Sequence, residues 1–138
     1  CYMNAAIQLL RSIPEFNKLI IDFSTSKSQG IDQSLAKLLG NIFKVLGKQD
    51  FTPEMFVGMF LQTHQTYLPL GTQHDSDEFM QELLAIISRA SPELDKAIKK
   101  LFEIEFVEVT KNIDIEEEPK IEISPMTKLC CNVGGTEK

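Results

Sequence analysis

The chain is poor in residues that staple, ligate or exchange protons. It has three cysteines among 138 residues, and two of them, Cys130 and Cys131, are adjacent. This is not a secreted disulfide framework, and adjacent cysteines bridge each other only with strain. A reducing intracellular compartment, cytoplasmic and also nuclear, is therefore expected. The Cys-x-x-Cys spacing of a structural zinc site is missing, so no metal or other cofactor is expected. Only two histidines occur, His64 and His74. Basic residues are outnumbered 14 to 20, for a net charge of −6. That balance argues against nucleic acid as a partner and suits a basic protein, although moderate acidity also serves solubility alone. No apolar run reaches the roughly 20 residues that span a bilayer, so no membrane is expected. No charged-then-apolar signal segment is expected at the start either.

What is present reads as one soluble globular domain with a real core. Hydrophobic residues make up 43% and charged residues 25%, ordinary values for a folded chain. Residues 1–12 suit a helix with Met3, Ala6, Ile7 and Leu10 on one face. Pro14 marks its boundary, and a short second helix follows with Phe16, Leu19, Ile20 and Phe23 on one side. Ser24 to Gly30 is polar and reads as a loop. Ile31, Leu35, Leu38, Leu39, Ile42, Phe43 and Leu46 form one helical stripe, which Gly47 ends. Thr52 is the expected cap of the next helix, Pro53 its first residue, and Phe51 a staple on Phe56. Met55, Phe56, Met59 and Phe60 are its expected buried face. After a loop over Tyr67–Thr72, a long helix runs to about Ala90 with Phe79, Met80, Leu83, Leu84, Ile86 and Ile87 inward. Ser91-Pro92-Glu93 starts another, to about Leu101.

The period then changes from helical to alternating. Phe102, Ile104 and Phe106 alternate with Glu103 and Glu105, as in a strand. Glu116-Glu117-Glu118-Pro119 is a charged turn, Ile121 and Ile123 alternate again, and Leu129–Val133 suits a further strand. One of Cys130 and Cys131 would then point inward and the other outward. The expected fold class is α+β and mainly helical, with a helical part over 1–101. A small antiparallel β extension follows over 102–138, with an acidic loop near 114–119.

Two short boxes carry chemistry. The first is Cys1-Tyr2-Met3-Asn4. A thiol at a helix start feels unpaired N–H groups and the positive end of the helix dipole, which favour the nucleophilic thiolate. The same N–H groups can receive a developing oxyanion. The plain alternative is an inert cysteine near a chain start. The second box is Gln73-His74-Asp75-Ser76-Asp77-Glu78-Phe79, at the start of the long helix. Asp75 can accept hydrogen bonds from an extended peptide backbone, or it can simply cap the helix.

Together, the two boxes resemble those of the ubiquitin-specific proteases, papain-like deubiquitinases. Cys1, Tyr2, Met3, Asn4, Ala5 and Gln8 match that family's Cys box, and Gln73, Asp75, Glu78 and Phe79 its Gln-Gln-Asp box. His74 replaces a second glutamine and Ser76 an alanine. The resemblance implies a thumb subdomain of a papain-like fold followed by the first strands of the fingers. It implies Cys1 as the nucleophile. Gln73 and Asp75 would contact the C-terminal tail of ubiquitin, Phe79 would be core, and Tyr2, Met3 and Asn4 would hold the helix. It implies hydrolysis of isopeptide or peptide bonds at ubiquitin's C-terminal glycine, with ubiquitin and its conjugates as partners. Neither histidine lies in the family's Gly-His-Tyr box, and the family's oxyanion Asn, which precedes the cysteine, has no counterpart. The chain therefore looks like the N-terminal part of a catalytic domain, inactive by itself. Arg11-Ser12-Ile13-Pro14-Glu15 and Leu101–Phe106 are similar to the proteasome-associated subgroup, which adds the proteasome as a partner. Two alternatives stay open. One is a non-catalytic ubiquitin or proteasome adaptor. The other, less favoured, is an N-terminal nucleophile hydrolase using the amine of Cys1 as base.

Overall fold

The computed structural model describes residues 2–27, 30–46, 48, 54–63 and 75–128. Within these, six helices precede a two-stranded sheet, so the fold is α+β and mainly helical. The helices are α1 (Tyr2–Arg11), α2 (Pro14–Phe23), α3 (Ile31–Val45), α4 (Glu54–Thr63), α5 (Ser76–Ala90) and α6 (Pro92–Phe102). The strands are β1 (Ile104–Thr110) and β2 (Lys120–Met126). The chain divides into two compact units, Cys1–Ile98 and Lys99–Lys138. Among the described residues no helix is long and apolar enough to cross a membrane.

The first unit is a helical bundle. α3 packs on α2, α4 and α5, and α1 packs on α5 and α2. Local signals explain the breaks. Ile13, before Pro14, takes extended geometry at φ −87° and ψ 108°, because the proline ring disfavours the helical region there. Ser91 ends α5 in extended geometry, and its Oγ then accepts from Leu94 N–H at 3.1 Å. That bond satisfies one orphan donor of α6.

The expected stripes of α1 and α5 are nearly complete. Met3, Ala6, Ile7 and Leu10 are buried, and so are Phe79, Leu83, Leu84, Ile86 and Ile87, with Met80 partly exposed. Phe16 and Ile20 of α2 are buried, while Leu19 and Phe23 are partly exposed. Other expectations need correction. Ile31 is 62% exposed because it is the first residue of α3, one turn before packing begins at Leu35. Met55 is 70% exposed, since only the Phe56/Phe60 side of α4 turns inward. In α3, the small residues Ala36 and Gly40 are buried, and Leu38 is partly exposed. A Cβ on Gly40 would overlap the carbonyl oxygen of Ile20 and lie 2.7 Å from the Ser24 Cβ. The missing side chain is what lets α2 approach α3 so closely. Lys44 Nζ donates to Ser24 Oγ at 2.7 Å across the same seam.

In the second unit, β1 and β2 are antiparallel, with Val107 opposite Ile123 and Val109 opposite Ile121. Phe102 is not a strand residue. Glu103 N–H still reaches Lys99 O at 2.9 Å, which continues the helical pattern, and β1 begins at Ile104. No residue of β1 is buried. The expectations at Gly47, Phe51–Pro53, the 67–72 loop and Leu129–Val133 lie outside the described residues.

Candidate active site

The site is best built from two helix starts. α1 begins at Tyr2, directly after Cys1, and its inward face of Met3, Ala6, Ile7 and Leu10 fixes its roll on the bundle. Arg11 anchors the far end, where its Nη2 donates to the carbonyl of Leu46, the C-cap of α3, at 2.5 Å. A cation suits that position, because the last carbonyls of α3 have no helical partner. Arg11 Nε and Asn17 Oδ1 are buried and make no hydrogen bond among the described residues.

α5 begins at Ser76 and is capped by Asp75, which takes extended geometry at φ −66° and ψ 123°. Its Oδ1 accepts from Asp77 N–H at 2.8 Å. Asp75 is thus an N-cap, and it is exposed. A carboxylate offers about four lone-pair sites, so one capping bond leaves capacity for a further donor. Asp77 and Glu78 follow in the first turn, where negative charge meets the positive helix end.

The two starts touch. The Tyr2 ring packs edge-on against Phe79, with centroids 5.7 Å apart and planes at 80°. Phe79 packs in turn on Phe60 at 4.9 Å and 62°, and Phe60 stacks on Phe56 at 6.2 Å and 26°. Burial pushes the Tyr2 phenol above its usual pKa, because the phenolate loses hydration there. Asn4 is exposed, since it lies off the stripe that Met3 and Ile7 define.

Cys1 and Gln73 lie outside the described residues, as do His64, His74, Cys130 and Cys131. Of the candidate binding residues, Asp75 is the one whose geometry is described. Sequence reasoning did not find the contact between Tyr2 and Phe79, nor the role of Phe60. Two aromatics each within one turn of a candidate residue were the available signal. Among the described residues, no three His, Cys, Asp or Glu side chains converge to hold a metal. A separate groove of about 420 Å³ is lined by Gly30, Ile31, Ser34, Met59, Gln62 and Thr63. Among the described residues its lining offers no acid, base or thiol for catalysis.

The start of α1 thus packs against the capped, acidic start of α5. Residues 1–129 match the family model described as ubiquitin carboxyl-terminal hydrolase. The chain belongs to that family. No curated protein matches it.

Proposed function

We propose that this chain is the thumb and first finger strands of a cysteine-type deubiquitinase. Cys1 is its nucleophile, and Gln73 and Asp75 hold the ubiquitin tail. The observation that carries the reading is the family match over 1–129, joined to the Tyr2–Phe79 contact that brings the two boxes within reach of each other. In the reaction, the Cys1 thiolate attacks the carbonyl of ubiquitin's C-terminal glycine. The C–N bond breaks, the amine leaves with a proton, and a thioester remains. Water then cleaves the C–S bond, which restores the thiol and frees the ubiquitin carboxylate.

Each group has a physical task. The first-turn N–H groups of α1 favour thiolate and face the developing oxyanion. Asp75 keeps its backbone cap and accepts from the tail with its remaining lone pairs. The acidic first turn of α5 suits a basic tail. Neither His64 nor His74 sits in the family's His box, so neither is assigned as the base. Likeness to the proteasome-associated subgroup, through Arg11–Glu15 and Leu101–Phe106, favours the proteasome as a second partner and a cytoplasmic or nuclear site of action.

The test is intact-mass analysis after mixing the chain with ubiquitin that bears a C-terminal thiol-reactive electrophile. A one-to-one adduct that disappears in Cys1→Ala is expected. An adduct that persists in Cys1→Ala, or none at all, would sink the assignment of Cys1.

A further inference from the structure

Two serines of the chain stand directly before a proline, Ser91 before Pro92 and Ser124 before Pro125. Proline biases the residue before it toward extended backbone. Both serines obey: Ser91 is extended at φ −162° and ψ 155°, and Ser124 lies within β2. Their side chains separate them. Ser91 is partly buried, and its Oγ is engaged as the cap of α6, accepting from Leu94 N–H at 3.1 Å. Ser124 and Pro125 are both exposed, and the Ser124 hydroxyl makes no hydrogen bond among the described residues.

The strand around Ser124 is also loosely held. β1 and β2 form a two-stranded sheet among the described residues, and such a hairpin is marginal. Pro125, opposite Glu105, has no N–H to give the ladder. The segment is thus extended, open and free to leave its partner strand, as a kinase cleft requires. Its surroundings are acidic. Ser124 stands opposite Phe106, and Glu122 shares its face two residues earlier. Glu108, opposite Glu122, lies diagonal to Ser124 on that face. Glu108 and Glu122 already oppose each other as like charges, which is unfavourable across a strand pair. Lys120 offsets this through its ion pair with Glu122 at 2.5 Å.

We propose that Ser124 is a phosphorylation site for a proline-directed protein kinase and that its phosphate loosens the β1–β2 hairpin. The inference is independent of the deubiquitinase reading. In the transfer, the Ser124 Oγ attacks the γ-phosphorus of a nucleoside triphosphate. The new O–P bond forms as the bond to the β-phosphate oxygen breaks. The diphosphate leaves, and the serine proton passes to the kinase's carboxylate base. The product carries about two negative charges at pH 7, beside Glu122 and diagonal to Glu108. With Lys120 engaged by Glu122, that charge repels the strands from each other.

The test is to incubate the chain with an active mitogen-activated protein kinase and magnesium ATP, and to map phosphate over time by peptide mass spectrometry. Phosphate is expected on Ser124. It should appear about fivefold or more faster there than on Ser91, whose hydroxyl must first give up its cap. Pro125→Ala, a change at an exposed strand position, should abolish labelling of Ser124. No phosphate on Ser124, labelling of Ser91 or Thr52 in its place, or an unchanged rate in Pro125→Ala overturns the site. Amide hydrogen exchange of the purified phosphorylated chain reads the second half. Exchange over 104–110 and 120–126 should quicken by about threefold or more, while α1 to α5 keep their protection. Equal exchange with and without the phosphate overturns the loosening.

Discussion

Gly40→Ala tests the central seam of the bundle. In an open helix this change gains about 1 kcal/mol, because alanine loses less entropy than glycine. At Gly40 the new methyl would overlap the Ile20 carbonyl oxygen, and it would meet the Ile20 carbonyl carbon at 3.1 Å and the Ser24 Cβ at 2.7 Å. Two of those three atoms are helix backbone, which no rotamer change can move. Carbon atoms settle near 3.5–4.0 Å, so α2 must retreat from α3 by about 1 Å. That retreat strains the Lys44–Ser24 hydrogen bond and loosens Phe16 and Ile20, both fully buried. Overpacking of this kind costs about 1–3 kcal/mol. The rigid partners place Gly40 at the upper end, so the net loss is about 2 kcal/mol after the propensity gain. For a chain of this size that lowers the melting temperature by roughly 6–10 °C. Gly58→Ala is the matched control, because a Cβ there meets nothing within 4 Å. It should raise the midpoint by roughly 3–5 °C. Far-ultraviolet circular dichroism during heating reads both. If Gly40→Ala rises as Gly58→Ala does, the close approach of α2 and α3 is wrong.

Three further outcomes follow from the geometry. Asp75→Ala should lose about 1 kcal/mol of helix stability, whereas Asp75→Asn keeps the cap. If the carboxylate also holds the tail, Asp75→Asn will slow adduct formation with the ubiquitin electrophile at unchanged melting temperature; a wild-type rate would reduce Asp75 to a cap. The Tyr2 phenol, raised by burial, binds its proton more tightly when folded than unfolded. Its contribution to stability is therefore complete below pH about 10 and is lost as pH rises through the folded value. Urea titrations of the chain and Tyr2→Phe at pH 8 and above 10 should diverge in that direction, and parallel curves would contradict it. Val107→Thr and Ile121→Thr, at positions 55% and 61% exposed, should each shift the main thermal transition by no more than about 0.5 kcal/mol; a larger shift would mean that the hairpin face is packed.

Much of the bundle is legible because its signals are local. Pro14 and Pro92 punctuate, and Met3, Ala6, Ile7 and Leu10 recur at helical spacing. Asp75 precedes an acidic first turn, a pattern that announces a cap. The misses have equally definite causes. Ala36 and Gly40 carry little or no apolar side chain, so burial through close helix approach leaves no trace in a hydrophobicity pattern. Ile31 and Met55 have the right character but sit in first turns. Phe102 fits two periods at once: it alternates with Ile104 and Phe106, and it also continues Leu94 and Ile98 at intervals of four. The structure resolves it as helical through the Glu103–Lys99 bond. The contact of Tyr2 with Phe79 is a tertiary event between distant segments, and no periodicity within either segment encodes it.

The described site residues and the hairpin rest on different physics. Tyr2, Asp75 and Phe79 belong to helices whose inward faces are buried in the first unit. Their relative placement is set by close packing, which tolerates little displacement. The hairpin pairs seven positions on each strand, and none is buried among the described residues. Its apolar pairs, Val107 with Ile123 and Val109 with Ile121, stabilise it only through cross-strand contact, worth about 0.2–1 kcal/mol each. An isolated two-stranded hairpin is marginal, so the sheet cannot be the source of the bundle's rigidity. The fixed placement of Tyr2, Asp75 and Phe79 therefore comes from the helices, where the Tyr2 and Phe79 rings meet.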